Sequence, residues 1–144
     1  MERSFDLIVF GATGFTGHLV AEYLQATYGA AGELRWALAG RDAAKLATVR
    51  DAIGAPATLP LLTADASDVD ALAALAARTR VILTTVGPYQ LHGETLVLAC
   101  ARAGTDYVDL CGEPAWMAKM IPRLQPMAAQ SGARIVFSCG FDSI

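Results

Sequence analysis

The chain has 144 residues, of which 54% are hydrophobic and 17% charged, and its formal net charge is −3. This length suits one domain with a sizeable core, and the negative charge offers no basic footprint for nucleic acid. The sequence contains no run of about 20 unbroken apolar residues, so no transmembrane helix is predicted. Glu2, Arg3 and Asp6 lie too close to the first apolar run for a secretory signal, and no small-residue cleavage pattern follows it, so we expect a cytoplasmic protein.

Apolar runs and helical patterns alternate along the chain, which predicts six strands joined by helical crossovers. The predicted strands cover 5–10, 34–39, 59–62, 81–86, 107–110 and 135–138, and the predicted helices cover 18–28, 43–53, 68–77, 94–103 and 116–130. Right-handed crossovers then give an α/β fold, a doubly wound parallel sheet with the Rossmann strand order 3-2-1-4-5-6.

Individual residues indicate where some of the predicted helices begin and end. Ser67 is the expected N-cap of the third helix, and Gly104 is expected to close the fourth at its C-terminal end. Pro122 and Pro126 are expected to kink or split the last helix, because proline removes a backbone donor and clashes with the preceding turn.

The glycine-rich turn after the first strand is the clearest functional motif. It reads Gly11-Ala12-Thr13-Gly14-Phe15-Thr16-Gly17, the pattern G-x-x-G-x-x-G between a strand and a helix. In this context the glycines permit a tight turn, close approach to a pyrophosphate and close helix packing, while the helix N-terminus faces the phosphates. We predict a dinucleotide site here, and the alternative is a merely structural turn. The predicted cofactor contacts are Gly11, Thr13, Gly14, Phe15, Thr16 and Gly17.

The residues after the second predicted strand indicate which dinucleotide is bound. NAD sites usually carry Asp or Glu there to bind the ribose 2′-OH, whereas this chain has Gly40-Arg41. A guanidinium can bind a 2′-phosphate, and Lys45 one helical turn further on could add a second positive charge. We therefore predict NADP(H) as the preferred cofactor and NAD(H) as the alternative, with a solvated helix-start role left open for Arg41. Asp42 is a candidate N-cap for the helix that follows.

Two further strand ends are predicted to complete the site. Asp65 and Ala66 follow the third strand and are expected near the adenine, with a simple loop aspartate as the alternative. Val86-Gly87-Pro88-Tyr89 follows the fourth strand, and we expect Gly87-Pro88 beneath the nicotinamide ribose and Tyr89 near the ring, because ligands bind at the carboxyl ends of such strands. The alternative is a structural turn with a packing tyrosine.

The cysteines and histidines show no metal-ligand spacing, and no metal is expected. We expect Cys100, Cys111 and Cys139 to be buried small hydrophobic residues in a reducing compartment, with a reactive thiol at Cys111 as the alternative. His18 and His92 are expected to be ordinary residues.

Several motifs occur together with the glycine turn. They are Val86-Gly87-Pro88-Tyr89, Tyr107-Val108-Asp109, Cys111-Gly112-Glu113-Pro114 and Cys139-Gly140-Phe141-Asp142-Ser143-Ile144. Over essentially the whole chain they resemble the amino-terminal region of the saccharopine dehydrogenase-like oxidoreductases, close to the trans-acting enoyl reductases. The resemblance implies a Rossmann domain that binds NAD(P), a second domain that holds the substrate, and a hydride-transfer reaction.

Residues 1–144 are accordingly expected to be one NAD(P)-binding domain of a longer protein, with the substrate domain absent. The sequence ends soon after the sixth predicted strand, and in the family it resembles the chain continues past this point. An apolar surface beyond that strand would then be exposed, and we expect self-association.

No catalytic acid or base is assigned from the sequence. No tyrosine is followed four residues later by lysine, which argues against a self-contained short-chain reductase. Tyr89, Cys111, Glu113 and Asp142 lie at predicted strand ends and could face a substrate. For Glu113 the alternative is a carboxylate that braces its loop by accepting bonds from backbone N–H groups.

We predict the NADP(H)-binding domain of an oxidoreductase that transfers hydride to an enoyl or imine-type substrate, small or lipid-like, held by the missing domain. The chain alone is then expected to be inactive. A non-catalytic NADP-binding redox sensor is the alternative, and an interaction module is a third possibility.

Overall fold

A computed structural model describes residues 2–141. The strands are β1 (Phe5–Phe10), β2 (Trp36–Gly40), β3 (Leu61–Thr63), β4 (Thr79–Thr84), β5 (Asp106–Asp109) and β6 (Ile135–Val136). The helices are α1 (Phe15–Tyr28), α2 (Ala43–Ala52), α3 (Val69–Ala77), α4 (Tyr89–His92), α5 (Glu94–Ala103) and α6 (Pro114–Ser131). All neighbouring strands pair in parallel in the order β3-β2-β1-β4-β5-β6, which confirms the predicted Rossmann sheet.

The sheet is covered on both faces, and this explains the high apolar content of the sequence. Successive side chains of a strand point to opposite faces, so Ile8 belongs to one hydrophobic cluster and its neighbour Val9 to the other. The Val9 cluster includes Leu24 of α1 and Leu46 of α2, and the Ile8 cluster includes Leu72 of α3. Burial on both faces holds the strand ends in fixed positions, and these strand ends carry the predicted site.

Three of the predicted helix caps can be compared with the structure. Gly104 adopts a left-handed conformation with φ 72° at the end of α5, and Asp42 accepts the Lys45 N–H at the start of α2, as predicted. The prediction for Ser67 is wrong, because the carboxylate of Asp68 caps α3 by accepting the Ala71 N–H at 3.0 Å.

The predicted split of the last helix is also wrong. Helix α6 runs continuously through Pro122 and Pro126. Its buried residues Trp116, Met120 and Leu124 recur every four positions and anchor one face in the core, whereas both prolines are exposed. Packing of this face outweighs the two missing backbone donors.

The strand boundaries differ from the prediction by one or two residues. Strand β4 begins earlier because Thr79 pairs in register with Phe5, and it ends before Thr85 and Val86, which lie in the following loop. Strand β6 is shorter than predicted, and the chain turns at Ser138, whose φ is 60°.

Cysteine burial follows the prediction only in part. Cys100 and Cys111 are buried, whereas Cys139 is exposed because it follows the edge strand β6, where the chain leaves the sheet. Asp142, Ser143 and Ile144 of the predicted terminal motif lie outside the described residues. Within residues 2–141, no helix has the length and apolar character needed to cross a membrane.

Candidate functional site

A cleft of about 920 Å³ opens at the carboxyl ends of β1 to β4. Strand β1 lies between β2 and β4, so the cleft sits where the strand order reverses, which is where ligands bind in open α/β sheets. The predicted site residues that line the cleft are Gly11, Thr13, Gly14, Arg41, Asp65, Ala66, Val86 and Gly87. The remaining predicted residues lie outside its lining and are Phe15, Thr16, Gly17, Lys45, Pro88 and Tyr89.

The three glycines of the turn have different surroundings. A Cβ at Gly17 would overlap the carbonyl oxygen of Gly11, so this glycine allows α1 to pack against the turn. Gly11 has a φ of 92°, and a Cβ there would lie 2.7 Å from Val86 Cγ2. A Cβ at Gly14 would lie 3.5 Å from the Gly11 oxygen, an ordinary van der Waals distance, and the residue is exposed, so its backbone is open to a ligand.

Helix α1 begins at this open turn without a side-chain cap. Gly14 is its N-cap and makes no side-chain hydrogen bond, and no acidic residue occupies the first turn. The N-terminal N–H groups and the positive end of the helix dipole therefore remain available to an anion. Phe15 and Thr16 in this first turn are exposed, Phe15 by 84%. An open backbone and a free helix N-terminus together fit the pyrophosphate of a dinucleotide.

Arg41 lies immediately after β2 and lines one side of the cleft. Its side chain is exposed, and in residues 2–141 it makes no hydrogen bond or ion pair. Lys45 is also exposed, and its backbone N–H is bonded to the Asp42 carboxylate. Since the Arg41 guanidinium forms no hydrogen bond or ion pair within the described residues, it is suited to binding a phosphate at the cleft.

Asp65 faces Arg41 from the end of β3 and also stabilises its own turn. Its Oδ1 accepts bonds from the backbone N–H of Ser67 at 2.8 Å and from the Ser67 hydroxyl at 2.6 Å. These bonds are the main reason that the pKa of Asp65 is lowered, and the charges of Arg41 and His92 contribute. His92 lines the cleft, although the sequence indicated an ordinary residue. Its place shortly after the Gly-Pro-Tyr motif was the available signal.

Tyr89 has a packing role in the structure. Its side chain is buried, its hydroxyl donates to the Thr84 carbonyl at 3.2 Å and it accepts the Leu110 N–H at 3.1 Å. The ring lies 5.7 Å from the ring of Trp116, and burial raises the pKa of Tyr89 to about 12. This arrangement matches the alternative of a packing tyrosine, and the cofactor contact of Tyr89 stays a prediction.

Glu113 connects the loop after β5 to the loop after β4. One carboxylate oxygen accepts the Tyr89 N–H at 2.6 Å, and the other accepts the Gln90 N–H at 3.0 Å. Both oxygens are thus bonded to backbone groups of a segment that lines the cleft through Gln90 and Leu91. The predicted alternative for Glu113, a bracing carboxylate, is confirmed.

Asp109 ties β5 to the chain beyond β6, a role that the sequence did not indicate. Its carboxylate is 1% exposed and accepts bonds from the Tyr107 hydroxyl at 2.6 Å, the Cys111 N–H at 2.9 Å and the Ser138 N–H at 2.8 Å. Burial raises the pKa of Tyr107 and also that of the Cys111 thiol, so Cys111 lacks the thiolate character of a reactive cysteine. The Asp109 carboxylate thus joins β5 to the loop that follows it and to the chain after β6.

Comparison with known proteins shows the family to which this chain belongs. The model of the saccharopine dehydrogenase NADP-binding domain matches residues 7–136, and the chain belongs to this family. The predicted cofactor, NADP(H), is thereby confirmed. Trans-acting enoyl reductases of Mycobacterium tuberculosis and Mycobacterium leprae are 51% and 49% identical to 99% of this chain. The chain spans about a third, 34%, of the length of each relative.

Solved structures show the same fold. Saccharopine dehydrogenase from Saccharomyces cerevisiae is similar to 96% of this chain with a TM-score of 0.72 at 21% identity, and the match covers 28% of that enzyme chain. Triphenylmethane reductase from Citrobacter sp., solved in complex with NADP(H), is similar to 92% of this chain with a TM-score of 0.64 at 21% identity, over 48% of its own chain. At these identities the likeness concerns the fold alone.

Proposed function

We propose that this chain is the NADP(H)-binding domain of an oxidoreductase that transfers hydride to an enoyl or imine-type substrate. The relatives named as trans-acting enoyl reductases support the reaction class. When bound, NADPH supplies the hydride, and the protein contributes binding and orientation. The substrate, small or lipid-like, is held by a further domain in this proposal.

In this proposal each part of the cleft binds a different part of the cofactor. The glycine turn from Gly11 to Gly17 and the N-terminus of α1 bind the pyrophosphate. Arg41 binds the 2′-phosphate with Lys45 as a second positive charge, and Asp65 with Ala66 borders the adenine. The segment 86–89 borders the nicotinamide ribose. The observation that carries this proposal is the Arg41 guanidinium, which lies beside an open glycine turn and makes no hydrogen bond or ion pair within residues 2–141.

The polar side chains near the proposed nicotinamide site are engaged or buried, which favours a binding role over proton transfer. The Tyr89 hydroxyl is engaged by two backbone groups, both Glu113 oxygens accept backbone N–H groups, and the Cys111 thiol is buried. We therefore assign no catalytic residue and expect the chain alone to bind cofactor without turnover. The cytoplasmic location and the self-association stay predictions, as does the alternative of a non-catalytic redox sensor.

The substitution Arg41→Ala tests the proposal. We expect it to weaken NADPH binding by roughly 1.5–3 kcal/mol, the contribution of a charged hydrogen-bonded contact, and to leave NADH binding almost unchanged. Calorimetric titration of both cofactors measures the difference. Arg102→Ala is the matched control, since Arg102 is exposed on α5 and does not line this cleft. Equal losses for NADPH and NADH would contradict the assignment of Arg41.

A further inference from the structure

We propose that Glu113 is a positioning residue that fixes the nicotinamide side of the cleft and thereby controls affinity for the nicotinamide half of NADP(H). The inference rests on the function proposed above. It concerns the segment from Val86 to His92, which follows β4 and includes the cleft-lining residues Val86, Gly87 and Gln90.

The first part of this segment is held from β1 and β4. The Val86 N–H donates to the Thr84 hydroxyl at 3.2 Å, and the Thr85 hydroxyl donates to the Gly11 carbonyl at 3.2 Å. These bonds fix the chain up to Val86. Gly87 and Pro88 are exposed, and from there the backbone has to enter the short helix α4.

Glu113 holds the segment where α4 begins. The N–H groups of Tyr89 and Gln90 belong to the first turn of α4, where no helical carbonyl precedes them, and each donates to one oxygen of the Glu113 carboxylate. Hydrogen bonds to an ionised carboxylate are stronger than neutral ones. The orientation of Gln90 toward the cleft therefore depends on a residue from the loop after β5.

The backbone of Glu113 is itself held by hydrogen bonds, which makes this residue suitable for positioning. Its N–H donates to the Cys111 sulfur at 3.4 Å, and its carbonyl accepts the Met117 N–H at 3.1 Å as the first bond of α6. The Cys111 N–H is fixed by the buried Asp109 carboxylate. Glu113 thus transmits the position of β5 and α6 to the segment beside the cleft, and it acts on the cofactor through the backbone.

The test compares the affinity for NADPH with the affinity for a ligand that contains only the adenosine half of this cofactor. Wild-type protein, Glu113→Gln and Glu113→Ala are titrated calorimetrically with NADPH and with adenosine 2′,5′-bisphosphate, which carries the adenine and 2′-phosphate but no nicotinamide. Glutamine keeps one acceptor oxygen and turns an NH₂ group toward the second N–H. We expect NADPH affinity to fall about fivefold in Glu113→Gln and about twentyfold in Glu113→Ala, with bisphosphate affinity constant within about twofold.

Asp106→Asn is the matched control. Asp106 also accepts a backbone N–H, that of Arg134 at 2.8 Å, but it lies at the amino end of β5, so its substitution is expected to leave both affinities unchanged. The melting temperature of each variant shows whether it is folded, and Glu113→Gln decides the test if Glu113→Ala does not fold.

Unchanged NADPH affinity in the folded Glu113 variants overturns the proposal, and so does an equal loss for NADPH and the bisphosphate. A wild-type chain that binds neither ligand contradicts the proposed function instead, which keeps the two failures distinguishable.

Discussion

The two ends of the parallel sheet both carry arginines around a cavity, but they use them differently. The amino-end cavity, of about 650 Å³, is lined by Glu2, Arg3, Arg35, Arg80, Gly104, Asp106, Gly132 and Arg134. The carboxyl-end cleft, of about 920 Å³, contains Arg41. The amino end has more charges, yet we propose that the cofactor binds at the carboxyl end, where the strand order reverses.

The two ends of the sheet differ in whether their guanidinium groups have hydrogen-bond or ion-pair partners in the protein. Arg3 donates to the carbonyls of Ala76 and Ala103, at the C-terminal ends of α3 and α5, and Arg134 pairs with Asp106 at 2.6 Å. Arg35 pairs in the same way with Asp6. Arg41 has no such partner within residues 2–141. Within residues 2–141 the Arg41 guanidinium thus stays available to a ligand, whereas the guanidinium groups of Arg3 and Arg134 bind other parts of the fold.

Among substitutions that test this comparison, we expect Arg3→Met to cause the largest loss of stability. Methionine retains an apolar stem but removes the guanidinium that donates to the carbonyls of Ala76 and Ala103, and negative helix ends favour a cation. The Ala76 carbonyl keeps a bond from the Thr105 hydroxyl at 2.6 Å. We expect the free energy of unfolding to fall by about 3 kcal/mol, measured by urea denaturation. NADPH affinity of the folded variant should equal that of wild type, and a clear loss of affinity would show that the two ends are coupled.

A smaller effect is expected from the pH dependence of the Asp106–Arg134 pair. Burial raises the pKa of Asp106, but hydrogen bonds from Arg134 and its charge outweigh burial and lower it overall. The stabilisation is therefore present at neutral pH and is lost as the pH falls below about 4 toward the lowered pKa.

Asp106→Asn should accordingly reduce the free energy of unfolding at neutral pH by about 0.5–1 kcal/mol, with a smaller difference from wild type in acid. Denaturation of both proteins across this pH range measures the change. A difference that grows on acidification would contradict the structural role given to this pair.

Local patterns in the sequence were sufficient to predict the sheet and the strand ends that line the cleft. The spacing of apolar runs and glycines predicted the strand order, because parallel strands need crossovers and the first glycine turn has to follow β1. The position of Arg41 at the cleft could be predicted because this residue directly follows β2. Gly104 and Asp42 were predictable because a cap depends on neighbouring residues.

Contacts between distant residues were not predictable in the same way. The buried stripe of α6 overrides Pro122 and Pro126 only through packing against the rest of the core. The role of Glu113 was foreseen as an alternative, but its partners Tyr89 and Gln90 are more than 20 residues away. The hydrogen bonds from Arg3 to the ends of α3 and α5 could not be predicted either, because their acceptors are more than 70 residues away.

We propose that the cleft selects NADP(H) through the charge of Arg41, whose guanidinium has no ion-pair partner within residues 2–141. Calorimetric titration of the wild-type chain with NADPH and, separately, with NADH tests it most directly. We expect NADPH to bind at least about tenfold more tightly, because a charged hydrogen-bonded contact contributes roughly 1.5–3 kcal/mol. NADH binding that equals or exceeds NADPH binding would contradict the account.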